Sequence, residues 1–282
     1  MSHSNINDVA NYLISECNTS ISHRELQKIL YFSQGFYIAK YDEALFESNM
    51  DAWKYGPVNG IIWERFKIFG NQSLTVSNDA STKTLSVEKK EFLTYIMALF
   101  LILGETLLIG MSHTDYPWEK NYITNINQRI EKNEIKEYFQ EFKSPEDYIS
   151  IAKEKVKFSE LLENRKKYLT SLKNIGDDWI SGGSLAPSED ICTACEKFLY
   201  AFKHNLFSRY AIPQIPKLIM GPIPTGGVGI ELHLSEKNIY LHFHNNNHII
   251  EVSIESNGVF DEYEIPLDQL SEKVCLFLER VA

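Results

Sequence analysis

The chain has 282 residues, 44% of them apolar and 23% charged, which is enough to bury one or two hydrophobic cores. Its formal charge of −10 argues against a working surface for nucleic acid, because phosphate contacts need clustered Lys and Arg. The opening residues, Met1 to Val9, hold neither a basic stretch nor an apolar run, so no signal peptide is read and the cytoplasm is the expected compartment. Cys17, Cys192, Cys195 and Cys275 show no disulfide-framework spacing and are read as reduced.

From the N-terminus, Val9, Tyr12 and Leu13 open a short amphipathic helix. Ser22 with Glu25 three residues on forms a capping-box pattern ahead of Leu26, Ile29, Leu30, Ser33, Phe36 and Tyr37, a helical stripe reaching about Lys40. Ala52 to Pro57 reads as a turn, Val58 to Phe69 as a helix stopped by Gly70-Asn71, and Leu74 to Leu85 as a short segment with β character. The run from Phe92 to Met111 is long enough to suggest a membrane span, at roughly 20 residues per crossing. Glu105 interrupts it, and a charge at that depth costs about 2.5–3.5 kcal/mol, so a buried core helix with a polar interruption is preferred.

Further on, Ile130, Ile135, Tyr138, Phe139 and Phe142 suggest helix, and a second helix is expected from Pro145 to Leu172 with Ser144 as its cap. The stretch Ile175 to Asp190 gathers Gly176, Gly182, Gly183 and Pro187 and reads as a linker. Beyond it, a helix from Ser188 aligns Ile191, Cys195, Phe198, Leu199, Phe202 and Leu206 on one face. The prolines and glycines of Ala211 to Gly227 then argue against regular structure. Alternation over 228–234, 239–244, 250–255 and 259–265 predicts a half-buried antiparallel meander, followed by a helix carrying Leu270, Val274, Phe277 and Leu278.

The fold class read from these elements is α+β: an N-terminal all-helical domain (1–145), a helical connector and linker (146–186), and a small antiparallel β-meander with flanking helices (187–282). Net charge runs −4, 0 and −6 over these three spans, so acidity concentrates in the last. Such a surface steers basic partners, and it also serves solubility alone.

Three segments, ISHRELQKILYFSQGFYIAKYDEALF (21–46), DAWKYGPVNGIIWERFKIFG (51–70) and MSHTDYPWEK (111–120), resemble the signature of the Panacea antitoxin domain in order and spacing. The resemblance covers about residues 5–145 and leaves the C-terminal third unassigned. It implies a helical domain of prokaryotic, often phage-associated, toxin–antitoxin pairs that neutralises a protein toxin by direct contact. The toxin gene is expected to be adjacent. Related members are proposed to act as protease adaptors, which would add a protease chaperone as partner.

Within these motifs, Trp53, Lys54, Tyr55, Gly56 and Pro57 make a rigid loop with two aromatics around a cation. Rigid aromatics dominate interface energetics, so Tyr31, Trp53, Lys54, Tyr55, Pro57, His113, Asp115 and Trp118 are the candidate partner-binding residues. The competing reading for Trp53 and Trp118 is that they are core. His113 and Asp115 suggest a catalytic pair, but no nucleophile or metal ligand is near them in sequence, and a helix-end role for His113 is preferred.

Cys192 and Cys195 have half-zinc-site spacing but lie within an amphipathic helix. His242 and His244 share a strand face with, depending on register, Glu231, His233, Glu251 and Glu255. That is either a metal or acid–base cluster or a solvated sheet face. Gly226 to Gly229 lead into a strand rather than a helix, which does not suit phosphate. The expected function is therefore a non-enzymatic, cofactor-free binding protein with no metal, no direct nucleic-acid contact and no membrane segment. The alternative is a fused effector or sensor whose C-terminal domain is held in check by the N-terminal one.

Overall fold

Ser22 opens the helix that organises the N-terminal half of the computed structural model, which describes residues 3–17, 20–77, 80–208, 215–245, 249–270 and 273. Its hydroxyl accepts from the Glu25 amide (3.1 Å) while Glu25 Oε2 accepts from the Ser22 amide (2.8 Å), the reciprocal cap expected from the spacing. The chain forms two compact units, Met1–Val156 and Lys157–Ala282.

In the first unit the elements run α1 (Ile6–Glu16), α2 (His23–Tyr41), β1 (Met50–Trp53), β2 (Gly56–Val58), α3 (Gly60–Phe66), α4 (Val87–Leu101), α5 (Glu105–His113), α6 (Tyr116–Asn121), β3 (Gln128–Ile130) and α7 (Lys132–Gln140). Helix α8 (Pro145–Leu172) follows, and the boundary between the units falls inside it. Helix α2 is buried on nearly every side, which explains why it carries so few charges. Phe32 stacks on Phe100 of α4 at 4.4 Å between ring centres, and Phe36 meets Phe139 of α7 edge-on at 4.8 Å. Gly35 permits that close crossing, since a Cβ there would stand 2.4 Å from the Phe139 ring. Gly35→Ala is expected to destabilise the unit by about 1–3 kcal/mol through overpacking, measured by urea unfolding followed by tryptophan fluorescence. An unchanged midpoint would show that α7 yields freely.

Several local expectations are corrected. The helical unit also holds a three-stranded antiparallel sheet, ordered β2-β1-β3, in which Trp53 pairs with Gly56 and Met50 with Ile130. The Ala52–Pro57 turn is thus the tip of a hairpin, too short to show strand periodicity. No strand forms among the described residues of 74–85. The apolar run 92–111 is two helices bent by 100°, broken where Gly104 adopts φ 77°, a backbone shape that other residues resist. Glu105 is half-buried at the break and accepts from Ser22 Oγ (2.7 Å) and Arg24 Nη1 (2.8 Å) instead of interrupting a continuous core helix. No single helix among the described residues is long and apolar enough to cross a membrane.

The second unit contains the end of α8, α9 (Glu189–Ser208) and strands β4 (Lys217–Pro222), β5 (Gly227–His233), β6 (Lys237–His244), β7 (Ile249–Ser256) and β8 (Val259–Pro266), a meander in the order β4-β5-β6-β7-β8. Ser188 caps α9, its hydroxyl accepting from the Ile191 amide at 3.3 Å. The predicted face of α9 is buried in a core with Val228, Ile230, Leu241, Phe243 and Val252 from the sheet. Cys192 and Cys195 are interior side chains of that core, and burial pushes both thiols above their ordinary range.

Strand β4 arises inside the segment expected to be irregular. Pro216 and Pro222 lie at its margins, and as the sheet's edge it tolerates lost ladder donors. The Gly- and Pro-rich stretch 175–190 belongs to this unit and folds on itself, with the Asp178 amide donating to the Ser184 carbonyl (2.7 Å) and Trp179 Nε1 to the Leu185 carbonyl (3.1 Å). Of the expected C-terminal helix, Leu270 is buried, while Val274, Phe277 and Leu278 lie outside the described residues.

Candidate functional site

The three motifs of the N-terminal unit meet at the β1–β2 hairpin. Lys28 of α2 donates from Nζ to the Pro57 carbonyl (3.0 Å), and Gln27 exchanges hydrogen bonds with Asn59, accepting from its amide at 2.8 Å. From the third motif, Trp118 Nε1 donates to the Trp53 carbonyl (2.9 Å). Gly56 sits at φ 96°, and a Cβ there would lie 2.4 Å from Lys28 Nζ and 2.5 Å from Ser112 Oγ, so the loop closes onto both helices only because the residue is glycine.

Lys28 is fully buried, and loss of hydration brings its ammonium down to about 7, with Glu105 partly opposing the fall. Burial lowers His23 as well, reinforced by Arg24.

Beneath the third motif lies a polar centre. Asp115 starts α6 but does not cap it with its side chain. The carboxylate turns inward and accepts from the Tyr138 hydroxyl (2.8 Å) and the Tyr148 hydroxyl (3.0 Å). Lys155 Nζ, also fully buried, lies 3.5 Å from the Tyr138 oxygen. Desolvation raises Asp115 to about 6 against the pull of Tyr138 and Lys155, and lowers Lys155 to about 8 against the pull of Asp115 and Glu119. The His113 ring stacks on Trp118 at 4.2 Å, and Trp118 stacks on Tyr122 at 4.7 Å.

Above the hairpin the unit opens a cleft of about 640 Å³. Its lining includes Trp53, Tyr55, Trp63, Ile123 and Ile126, with Arg24, Lys54 and Lys67 among them. The Trp53 and Trp63 rings lie 5.3 Å apart, Lys67 Nζ is 4.8 Å from the Trp63 ring centre, and the Arg24 guanidinium is 5.6 Å from that of Tyr55. Tyr55, Ile123 and Ile126 are about half exposed, an apolar group that water does not reward.

Of the eight candidate residues, Trp53, Lys54 and Tyr55 line this cleft. Tyr31, Pro57, Asp115 and Trp118 are interior, and His113 is half-buried behind Trp118. Sequence reasoning missed Trp63, Ile123 and Ile126. Trp63 falls on a short helix whose face is set by the hairpin, and the other two lie in a loop with no periodicity to read.

This arrangement defines a helical unit that holds an aromatic loop rigidly beside an open, cation-rimmed cleft. Residues 26–119 match the domain family described as Antitoxin SocA-like, Panacea domain, a narrower span than 5–145 but one that takes in most of the first motif, all of the second and nearly all of the third. No curated protein and no solved structure matches the chain.

Proposed function

We propose that this protein is an antitoxin that binds and neutralises a protein toxin by direct contact, using the cleft of its N-terminal unit. The observation that carries the reading is the interlocking of the three matched motifs. Lys28, Ser112 and Trp118 hold the hairpin from three helices, closing on it at Gly56, and what that fixation presents outward is Trp53, Lys54 and Tyr55. A pre-ordered aromatic surface loses little entropy on binding, which is what interface anchors require. Its cationic rim suits an apolar segment of the partner bearing acidic side chains. The toxin is expected from an adjacent gene, and the protein itself acts without cofactor or catalysis in the cytoplasm.

Affinity purification from the native host, with co-purifying proteins identified and counted by mass spectrometry, tests this reading. An equimolar partner supports neutralisation by blockade. A protease chaperone with a substoichiometric client would shift the reading to an adaptor, and recovery of the protein alone would count against both. With the partner in hand, Trp53→Ala and Tyr55→Ala are each expected to weaken binding by about 10–50-fold, as central aromatic anchors do. Calorimetric titration checks this, and affinities within twofold of the parent would remove the cleft from the interface.

A further inference from the structure

The outward face of the C-terminal sheet carries a side-chain cluster that the cleft does not involve. His242 and His244 stand two residues apart on β6, so both rings project from the same face. The pairing of β6 with β7 sets Glu251 directly opposite His242. Glu251 Oε2 lies 3.0 Å from His244 Nε2 and 3.8 Å from His242 Nδ1, and one donor atom from each of the three residues falls within 4.8 Å of the others. On β5 the residues paired with His244 and His242 are Gly227 and Gly229, which bring no side chain to crowd the rings. On β8, Glu264 is paired with Glu251, an unfavourable placement of like charges unless a cation sits nearby.

We propose that His242, His244 and Glu251 bind one divalent transition-metal ion of the zinc class, with the fourth position left to water. Two imidazoles and a carboxylate form a borderline donor set that takes Zn²⁺, Ni²⁺ or Cu²⁺ and discriminates against Mg²⁺ and Ca²⁺, which prefer oxygen. Tetrahedral bonds of roughly 2.0–2.2 Å place donors about 3.3 Å apart. The two distances to Glu251 bracket that value, and small rotations of exposed side chains bring the two imidazole nitrogens to it. A plain ion pair would need only His244 and Glu251; metal binding needs His242 as well. At the other end of the same face, His233 bonds to Glu231 (2.9 Å) and Asn238 (2.8 Å) with no second imidazole in reach among the described residues, which makes it an internal control.

The test uses the untagged full chain, stripped with chelator and titrated with Zn²⁺ by calorimetry and with Co²⁺ by visible absorption. One equivalent of Zn²⁺ is expected, undisturbed by millimolar Mg²⁺, together with the intense visible bands of four- or five-coordinate cobalt. The double variant His242→Ala, His244→Ala and the single variants His242→Ala and Glu251→Gln are each expected to weaken Zn²⁺ binding by at least about 10–100-fold, the loss that even outer-shell partners cost. His233→Ala should bind as the parent does. All these side chains are surface residues, and circular dichroism verifies that each variant is folded. Failure of the parent to bind one equivalent overturns the proposal, as does binding that survives loss of both histidines, loss of His242 without effect, or equal displacement by Mg²⁺.

Discussion

Replacing Asp115 by alanine is expected to destabilise the N-terminal unit by about 3–5 kcal/mol, the cost of breaking a buried, charged hydrogen-bond network by removing one of its members. The carboxylate is fully buried and accepts from Tyr138 on α7 and Tyr148 on α8, while Lys155 Nζ stands behind Tyr138. Truncation removes the larger of the two negative charges that act on Lys155, leaving it Glu119, and strips two tyrosine hydroxyls of their acceptor. The double substitution Asp115→Asn, Lys155→Met removes these two charges together and keeps an amide to accept from the tyrosines, so it should be milder than Asp115→Ala by about 1–2 kcal/mol, Glu119 remaining in both variants. Urea unfolding followed by fluorescence measures both, since Trp53, Trp63 and Trp118 all lie in this unit. Equal losses for the single and the double variant would show that the charges are not coupled. Binding should follow stability here, because Asp115 opens the helix from which Trp118 reaches the Trp53 carbonyl.

Much of the fold was legible because its signals are local. Ser22 and Glu25, Ser144 before α8 and Ser188 before α9 each mark a helix start through a bond that spans three residues. The meander was readable because a sheet with one buried face writes a period of two into every strand. Ile239, Leu241 and Phe243 are buried while Tyr240, His242 and His244 are not. What failed depended on partners distant in the chain. Strands β1 and β3 have four and three residues, too few to show alternation, and they pair across more than seventy positions. Strand β4 was hidden by its flanking prolines, which an edge position permits.

The candidate site divides along the same line. The rigid loop was legible because aromatics beside Gly-Pro announce one, and its residues Trp53, Lys54 and Tyr55 line the cleft. Asp115 lies in the third motif, where an Asp ahead of Tyr-Pro-Trp reads as a helix cap, and nothing local says that its carboxylate turns toward residues 23 and 33 positions later. The register linking His242 to Glu251 had to come from the folded sheet, since a slip of one residue would have put Glu251 on the other face. Lys28 did leave a trace, as the lone formal charge between Glu25 and Lys40 in a helix otherwise apolar or uncharged.

That lysine makes the stability of the N-terminal unit rise with pH across neutrality. Its folded-state value of about 7 lies well below the ordinary 10.5, so between those limits the unfolded chain holds a proton that the folded one has released. Stability therefore increases with pH in that window, by up to about 1.4 kcal/mol per unit, and is lost as pH falls through 7. Lys155, lowered to about 8, adds a slope of the same sign, but only above that point, so the interval from pH 7 to 8 belongs chiefly to Lys28. In Lys28→Met this early slope should vanish. The variant leaves the Pro57 carbonyl without its donor, a loss of about 1–3 kcal/mol, but it also no longer buries an ammonium. Its penalty relative to the parent is accordingly expected to be larger at pH 9 than at pH 6, by about 2–3 kcal/mol. Urea midpoints of both proteins from pH 6 to 9 decide the matter. Parallel curves would mean that Lys28 keeps its proton throughout, held by Glu105 and the Pro57 carbonyl as part of a permanently charged floor under the hairpin.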